Sequence, residues 1–570
     1  MKFLQKVFKH PHFWPIVMVL AFTFLATHTL FTPGYFNMHD DLQMMRQLEM
    51  EKCFTDLQIP CRWIPDMGYG FGFPLFNFYP PLPYLIGQVI RVIGFSFVDT
   101  VKLTFALSFF ISGIGMYFLA KEFFGKWGGI FSAIFYVWAP YHSVDVYVRG
   151  AMNEAWALTW FPLILWTSYK FIKEKEGVKK FLLPLALSWF ALLTTHNLMV
   201  LIFTPIFAVW CLIFLWREKA WQKIPKLIIP GLLAFGLAAF FTLPAILEQK
   251  YVQVNTLIVG YYDYTAHYVS LGQLLISRFW GFGASVWGLT DGMPFQVGHI
   301  HWILSLIVGG WAALLLIRKK KLETPLLVVI LMVSAGWFAL FMAHSRSIFI
   351  WQALPFLKFV QFPWRFLTLS TLGFSFAAGA LAYFLREKIY GKIILVGLVL
   401  FLVFINRNYF LPEHGKMGPL TDKEKFTNAA WDLQQTAGIY DYLPVWAKEA
   451  PKGPQKTLAE IMEGIGTITE EKEGTNWGEF KAIVNSKEAS VRINIFKFPN
   501  WKIYIDGKEV SYNVPETEKW GRMYINVPEG KHDVTFRLYS TTLRSLANSI
   551  SFLSWLGLFI YLLIKRRNKD

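Results

Sequence analysis

The stretch FWPIVMVLAFTFLATHTLFTPGYFNMHDDLQMM (Phe13–Met45) sets a long apolar run against an exit that carries His39, Asp40 and Asp41. As a helix, Phe13–Phe31 would be about 28 Å long, close to the ~30 Å of a bilayer's hydrocarbon core. Lys2, Lys6 and Lys9 precede it as they would a signal peptide. The apolar run is nevertheless long for that role and no small-x-small cleavage site follows, so it reads as a retained span. A polar triplet placed where the chain leaves the bilayer calls for an explanation that the rest of the chain must supply.

The rest of the chain agrees with a membrane reading. Of its 570 residues, 55% are hydrophobic, 18% aromatic and only 16% charged, against about 25% charged in soluble domains. The formal charge of +17 is not a nucleic-acid signature, because Pro412 to Thr542 is nearly neutral. The excess falls in short loops: Lys121 and Lys126, Lys170–Lys180, Arg217–Lys226, Arg318–Lys321, Arg386–Lys392 and Lys565–Lys569. That is the positive-inside pattern, and it puts both termini in the cytoplasm. Twelve spans satisfy it, near 13–31, 101–120, 127–141, 155–172, 181–195, 198–215, 227–246, 300–317, 324–343, 366–385, 392–409 and 546–564.

The segment PPLPYLIGQVIRVIGFSF (Pro80–Phe97) carries Arg91 in its middle. Counting it as a span would reverse the sidedness of the next helix, so it reads as an amphipathic helix at the outer interface. Two long outer loops, 32–100 and 248–299, are rich in Gly and aromatic residues, and loops of that length are commonly functional. A third outer segment, 411–542, forms a mainly-β domain. SVRINIFKF, WKIYIDGKEVSYNV, GRMYINV and HDVTFRLY alternate as strands do, Asp506–Gly507 signals a hairpin turn, and PEGK (Pro528–Lys531) reads as another turn. The expected organisation is a membrane module over 1–410, a β-sandwich-like domain over 411–542, and a last span with a basic tail over 543–570.

Charge within a bilayer is costly, so polar residues there mark function. The polar clusters gather at the outer helix ends: His39, Asp40 and Asp41; Arg149, Asn153 and Glu154 in YVRGAMNEAWA; His196 and Asn197 in TTHNL; Glu248; Asp263 and His267; His299 and His301; and Arg365 in QFPWRFL. Each has a structural reading too: a polar collar, an Arg149–Glu154 ion pair, a turn cap at His196, a snorkelling Arg365, a helix start at His299 and His301. Their common sidedness favours a shared outer cavity. Cys53 and Cys61 lie in an outer loop where a disulfide is permitted, and Cys211 packs as a small hydrophobe. No zinc spacing, phosphate loop or Ser/His/Asp pattern is present. Trp446, Trp477 and Trp501 suit either sugar stacking or core packing.

Acidic residues after the first helix, an interfacial helix beginning PPLPY, and many spans followed by an outer β-domain resemble the GT-C superfamily of membrane glycosyltransferases. RGAMNEAWA, TTHNL, LPAILE (Leu243–Glu248) and QFPWRFL resemble the prokaryotic membrane family labelled 6-pyruvoyl-tetrahydropterin synthase-related, although nothing here resembles a pterin enzyme. FPNWKIYIDGKEV is similar to the C-terminal part of bacterial membrane proteins that glycosylate cell-wall polymers. The resemblance implies an inverting transfer from a polyprenyl-phosphate-linked sugar to an extracytoplasmic glycan, lipid or protein acceptor, in the prokaryotic plasma membrane. It implies that Asp41 or Asp40 is the general base, and that the other carboxylate binds acceptor or a divalent cation such as Mg2+ or Mn2+. Arg365, Arg149, Glu154, His196, Asn197, His39, Glu248 and His267 are then the candidates for binding donor phosphate and substrate. A lipid or glycan transporter and a membrane-anchored envelope scaffold are the rival readings; the first would show ionisable midplane sites or internal repeats, the second would tolerate loss of both aspartates.

Overall fold

In the computed structural model, residues 8–567 are described apart from 287, 289, 290, 321, 387 and 389. The basic positions Lys2, Lys6, Lys321 and Lys569 lie outside the described residues. Every segment expected to span coincides with helix. Among the described residues nine helices are long and apolar enough to cross a membrane: Phe13–Phe31, Phe97–Val137, Asn197–Arg217, Trp221–Leu247, His299–Lys319, Thr324–Ala343, Pro363–Phe384, Gly391–Tyr409 and Thr542–Arg567. The difference from twelve has three sources. Residues 101–120 and 127–141 fall largely in one 41-residue element that leaves helical geometry at Gly125. The Gly177–Leu193 helix has only 17 residues, and Met152–Lys173 interleaves Thr159, Thr167, Ser168, Lys170 and Lys173 with its apolar residues.

The chain divides into two compact units that are interleaved along the sequence, where composition suggested three consecutive segments. One comprises the chain up to Gln43 with Val98–Ala234 and Ile258–Thr421; the other comprises Met44–Phe97, Phe235–Leu257 and the chain from Asp422 onward.

The first unit is helical. Met152–Lys173 and Gly177–Leu193 form a tight antiparallel pair, closed by a bond from Gly177 N to Glu174 O at 3.0 Å. Thr324–Ala343 packs closely on Leu367–Ala378. The contact depends on Gly373, where an added Cβ would stand 2.4 Å from the Met332 carbonyl oxygen. Close approach through small residues is how helices gain packing where lipid removes the hydrophobic driving force.

The second unit is built on six antiparallel strands: β1 Ala459–Glu463, β2 Gly466–Glu473, β3 Trp477–Phe496, β4 Trp501–Ile505, β5 Lys508–Val510 and β6 Arg522–Leu538. They make one sheet in the order β1-β3-β6-β4-β5, with β2 also on β3. Its buried face is covered by Trp63, Phe71, Phe78, Val252, Ile439 and Leu443 in place of a second sheet. Asp506 and Gly507, at φ 49° and 78°, turn β4 into β5 as a two-residue hairpin should. PEGK corrects the expected turn: it lies inside β6, with Pro528 opposite Glu488 and Gly530 opposite Val484. An irregularity in β3 between Val484 and Glu488 absorbs the proline, which cannot donate to the ladder.

Leu82–Ile93 is a 12-residue helix, about 18 Å long and too short to span. Tyr84 and Gln88 are buried on one side, while Val89, Val92 and Ile93 are exposed on the other, as an interfacial helix requires. Cys53 and Cys61 are joined in a disulfide.

Candidate active site

The aspartates stand in a turn that follows the first span and leads into the Gln43–Thr55 helix. The turn is fixed by backbone pairing: His39 N donates to Val148 O at 3.0 Å and Asp40 N to Arg149 O at 2.9 Å. Gln43 completes the clamp, its Nε2 donating to Asp40 Oδ2 at 3.1 Å and to Gly150 O at 2.8 Å. Asp40 and Asp41 are both half-buried. Burial and then the charges of Asp41 and Asp40 push the Tyr35 phenol well above its usual range, so both carboxylates act on that hydroxyl.

Arg149, the residue to which this turn is pinned, opens a buried ionic network. Its Nη1 bonds Asp145 Oδ1 and lies 2.8 Å from Glu154 Oε2. Tyr141 donates to Glu154 Oε1 at 2.7 Å. Arg365 approaches Glu154 Oε2 through Nε at 3.4 Å, while its Nη1 donates to Val360 O at 2.8 Å and Gln361 Oε1 at 2.9 Å. The Arg149 guanidinium lies 4.4 Å from the Trp364 ring centre, and Trp364 stacks on Phe362 at 4.9 Å. Burial alone would lower the Arg149 pKa, but Glu154, Tyr141 and Asp145 hold it above its ordinary value and keep it charged. Burial and the neighbouring Glu154 push the Asp145 carboxyl well up. Arg149 thus faces both carboxyls, Asp145 and Glu154, while among the described residues Arg365 approaches Glu154 alone.

His196 joins this network electrostatically. Burial, then the Arg365 charge, lowers its imidazole to about 3, so it is neutral at physiological pH.

The structure thus brings together His39, Asp40, Asp41, Arg149, Glu154, His196 and Arg365 in the first unit. Other candidates have different surroundings. Asn197 is exposed at the start of its helix. His267 is fully buried, bonded through its two ring nitrogens to Ser285 and to the Tyr261 carbonyl, with Phe362 edge-on at 4.7 Å. Glu248 belongs to the second unit, where it accepts from Arg544 Nε at 2.8 Å, Asn77 Nδ2 at 3.0 Å and Thr541 Oγ1 at 2.9 Å. His301 Nε2 bonds the Phe135 carbonyl and His299 Nε2 the Ile276 carbonyl, as helix-start residues do. Trp501 is core and Trp477 bonds Asp56. Asp145 and Tyr141 went unnoticed in the sequence; the Asp145–Arg149 spacing of four was the available signal.

Among the described residues no three His, Cys, Asp or Glu side chains converge as a protein-built metal site would require. Two adjacent carboxylates are still the complement that Mg2+ or Mn2+ takes from a protein when phosphate and water supply the rest.

Among solved structures, the chain is similar to the oligosaccharyltransferase AglB from Archaeoglobus fulgidus, solved with an inhibitory peptide and a dolichol-phosphate. The TM-score is 0.45 at 10% identity, over 79% of this chain and 62% of that one. It is also similar to the mycobacterial arabinofuranosyltransferase AftD, with TM-score 0.41 at 14% identity over 71% of this chain and 28% of that one. At such scores neither likeness fixes the fold. An uncharacterised protein of Lactococcus lactis subsp. cremoris (strain MG1363) is 26% identical over 254 residues, 43% of this chain and 41% of that relative, so the match spans less than half of its length. Residues 76–410 match the 6-pyruvoyl-tetrahydropterin synthase related domain; Arg149, Glu154, His196, Asn197, Glu248, His267 and Arg365 fall inside the match, and Asp40 and Asp41 precede it. With more than half of its length matched, the chain belongs to the 6-pyruvoyl-tetrahydropterin synthase related family of membrane proteins.

Proposed function

We propose that this protein is a glycosyltransferase of GT-C type that moves a sugar from a polyprenyl-phosphate donor to an extracytoplasmic glycan, lipid or protein acceptor. One observation carries the reading: the backbone pairing of His39 and Asp40 with Val148 and Arg149, which sets a pair of carboxylates beside a buried arginine network. Carboxylate and guanidinium are the two groups that the transfer needs, and they stand on adjoining backbone.

In the proposed reaction the acceptor hydroxyl oxygen attacks the anomeric carbon as the bond from that carbon to the phosphate oxygen breaks. The acceptor proton passes to Asp41 or Asp40, a general-base contribution of about 10²–10⁴ in rate. Negative charge develops on the departing polyprenyl phosphate, where Arg365 and Arg149 stabilise it, guanidinium being matched to phosphate by its planar fork. Neutral His196 donates one further hydrogen bond. Whichever of Asp40 and Asp41 is not the base would bind the acceptor or a divalent cation, which when bound would add charge neutralisation at the phosphate. The site and the sheet-bearing unit face the extracytoplasmic side, and both termini the cytoplasm.

The test is release of free polyprenyl phosphate from a panel of polyprenyl-phosphate sugars by the protein in lipid nanodiscs, with envelope glycans as acceptors. The parent is expected to turn over. One of Asp40→Asn and Asp41→Asn is expected to lose about 10²–10⁴ in rate while still binding donor. Full activity in both variants would remove the aspartates from the chemistry, and absence of donor binding by the parent would remove the reading itself.

A further inference from the structure

Gln296 is 2% exposed, and neither its Nε2 nor its Oε1 meets a hydrogen-bond partner among the described residues. A buried amide with both ends unmet is costly, and native proteins rarely keep one without a ligand or water to complete it. Its place in the fold is informative. Gln296 stands on the segment that leads into the His299–Lys319 helix, and its neighbours Phe295 and Val297 belong to the apolar cluster that holds Tyr141, Val148 and Trp364. The Phe295 ring lies 6.2 Å from Trp364, the same ring that sits under Arg149. Trp364 Nε1 is also buried and without a partner among the described residues. The same loop reaches the aspartate turn, where His39 Nε2 bonds the Phe282 carbonyl at 3.0 Å, and closes on itself through Gly283 N to Gly292 O at 2.7 Å.

We infer that Gln296, with the Trp364 indole N–H, forms a subsite for saccharide hydroxyls, one that rests on the glycosyltransferase reading. The donor set selects the ligand. A primary amide presents donors and an acceptor side by side, which vicinal hydroxyls satisfy together, since each hydroxyl both gives and takes. A phosphate or carboxylate would leave Oε1 unmet, and a polyprenyl tail would leave both ends unmet. The hydroxyls come from the donor sugar or from the acceptor glycan.

The experiment compares the parent with Gln296→Met and Trp364→Phe in nanodiscs. It measures binding of a polyprenyl-phosphate hexose, of polyprenyl phosphate without sugar, and of a soluble hexose disaccharide, together with thermal unfolding in the absence of ligand. Gln296→Met is expected to weaken the sugar-bearing donor or the disaccharide by about tenfold, the value of one lost hydrogen bond set. Sugar-free polyprenyl phosphate is expected to bind unchanged, and the ligand-free melting temperature to hold or rise, because an unmet amide has been replaced by an apolar group of similar size. Loss in the donor arm assigns the subsite to the donor sugar; loss in the disaccharide arm alone assigns it to the acceptor. Trp364→Phe is expected to weaken the same arm. Unchanged saccharide binding in both variants, or a lowered melting temperature in Gln296→Met with saccharide binding intact, overturns the subsite and leaves the glycosyltransferase reading standing. A parent that binds neither saccharide probe overturns both.

Discussion

At the scale of single residues, the Arg149 network shows why the charged groups were legible in the sequence and their partnership was not. Arg149 and Glu154 stand out in the sequence because charged groups are rare within apolar spans and these two lie beside one. Asp145, equally buried, sits in the run VDVYV and reads as an isolated acid until the π-turn over Val144–Val148 places it beside Arg149. His196 offers a direct test of this environment. Its imidazole is lowered to about 3 in the folded protein by burial and by Arg365, against ~6.5 in an unfolded chain. Between these values the unfolded chain takes up a proton that the folded one refuses. The stability His196 contributes is therefore full above about pH 6.5 and declines as the pH falls from there toward 3. Melting temperature measured from pH 7.5 down to 5 is expected to fall, and His196→Gln to flatten that fall. A parallel decline in both proteins would place the acid sensitivity elsewhere.

Among the elements, period and turn chemistry carried most of the information. The apolar runs became helices where expected, and Asp506–Gly507 made its hairpin, because these signals are local. PEGK misled for a physical reason: proline and glycine usually punctuate strands, and only the irregularity in the partner strand β3, a non-local feature, lets β6 continue through them. Helix-to-helix approach is equally hidden, since Gly373 is one of many glycines until the Met332 carbonyl is known to face it. Replacing Gly373 by Ala puts its Cβ 2.4 Å from that oxygen, a clash relieved only by parting Thr324–Ala343 from Leu367–Ala378. We expect a cost of about 1–3 kcal/mol, as for other overpacked cores, read as a lower melting temperature in nanodiscs. Gly397 has no heavy atom within 4 Å of an added Cβ, so Gly397→Ala is the control that should leave the melting temperature unchanged or slightly raised. Equal effects at the two positions would show that the overlap is not what matters.

For the whole molecule, the interleaving of the two units was the feature furthest from reach, because composition changes along the chain while compact units are assembled across it. Glu248 illustrates the consequence. It ends an apolar helix, as a substrate-binding carboxylate at the membrane surface would, yet its neighbours in the second unit come from residues 77, 541 and 544. The same skeleton includes Arg62, which donates to the Phe240 carbonyl at 2.7 Å and to Asn548 Oδ1 at 2.7 Å. That carbonyl needs a donor because the residue four places on is Pro244, which has no N–H to give. Both Glu248 and Arg544 are almost fully buried, at 2% and 1% exposure, so removing one leaves the other as an uncompensated charge. Glu248→Met is expected to destabilise the protein by about 3–5 kcal/mol. In the double variant Glu248→Met with Arg544→Met, which removes the pair together, much of the loss should be recovered. Turnover per folded molecule near the parent value in the double variant is the outcome expected of a structural pair, which the bonds of Glu248 to Asn77 and Thr541 in the same unit favour. A Glu248 variant that melts like the parent but raises KM would instead make the carboxylate a substrate ligand.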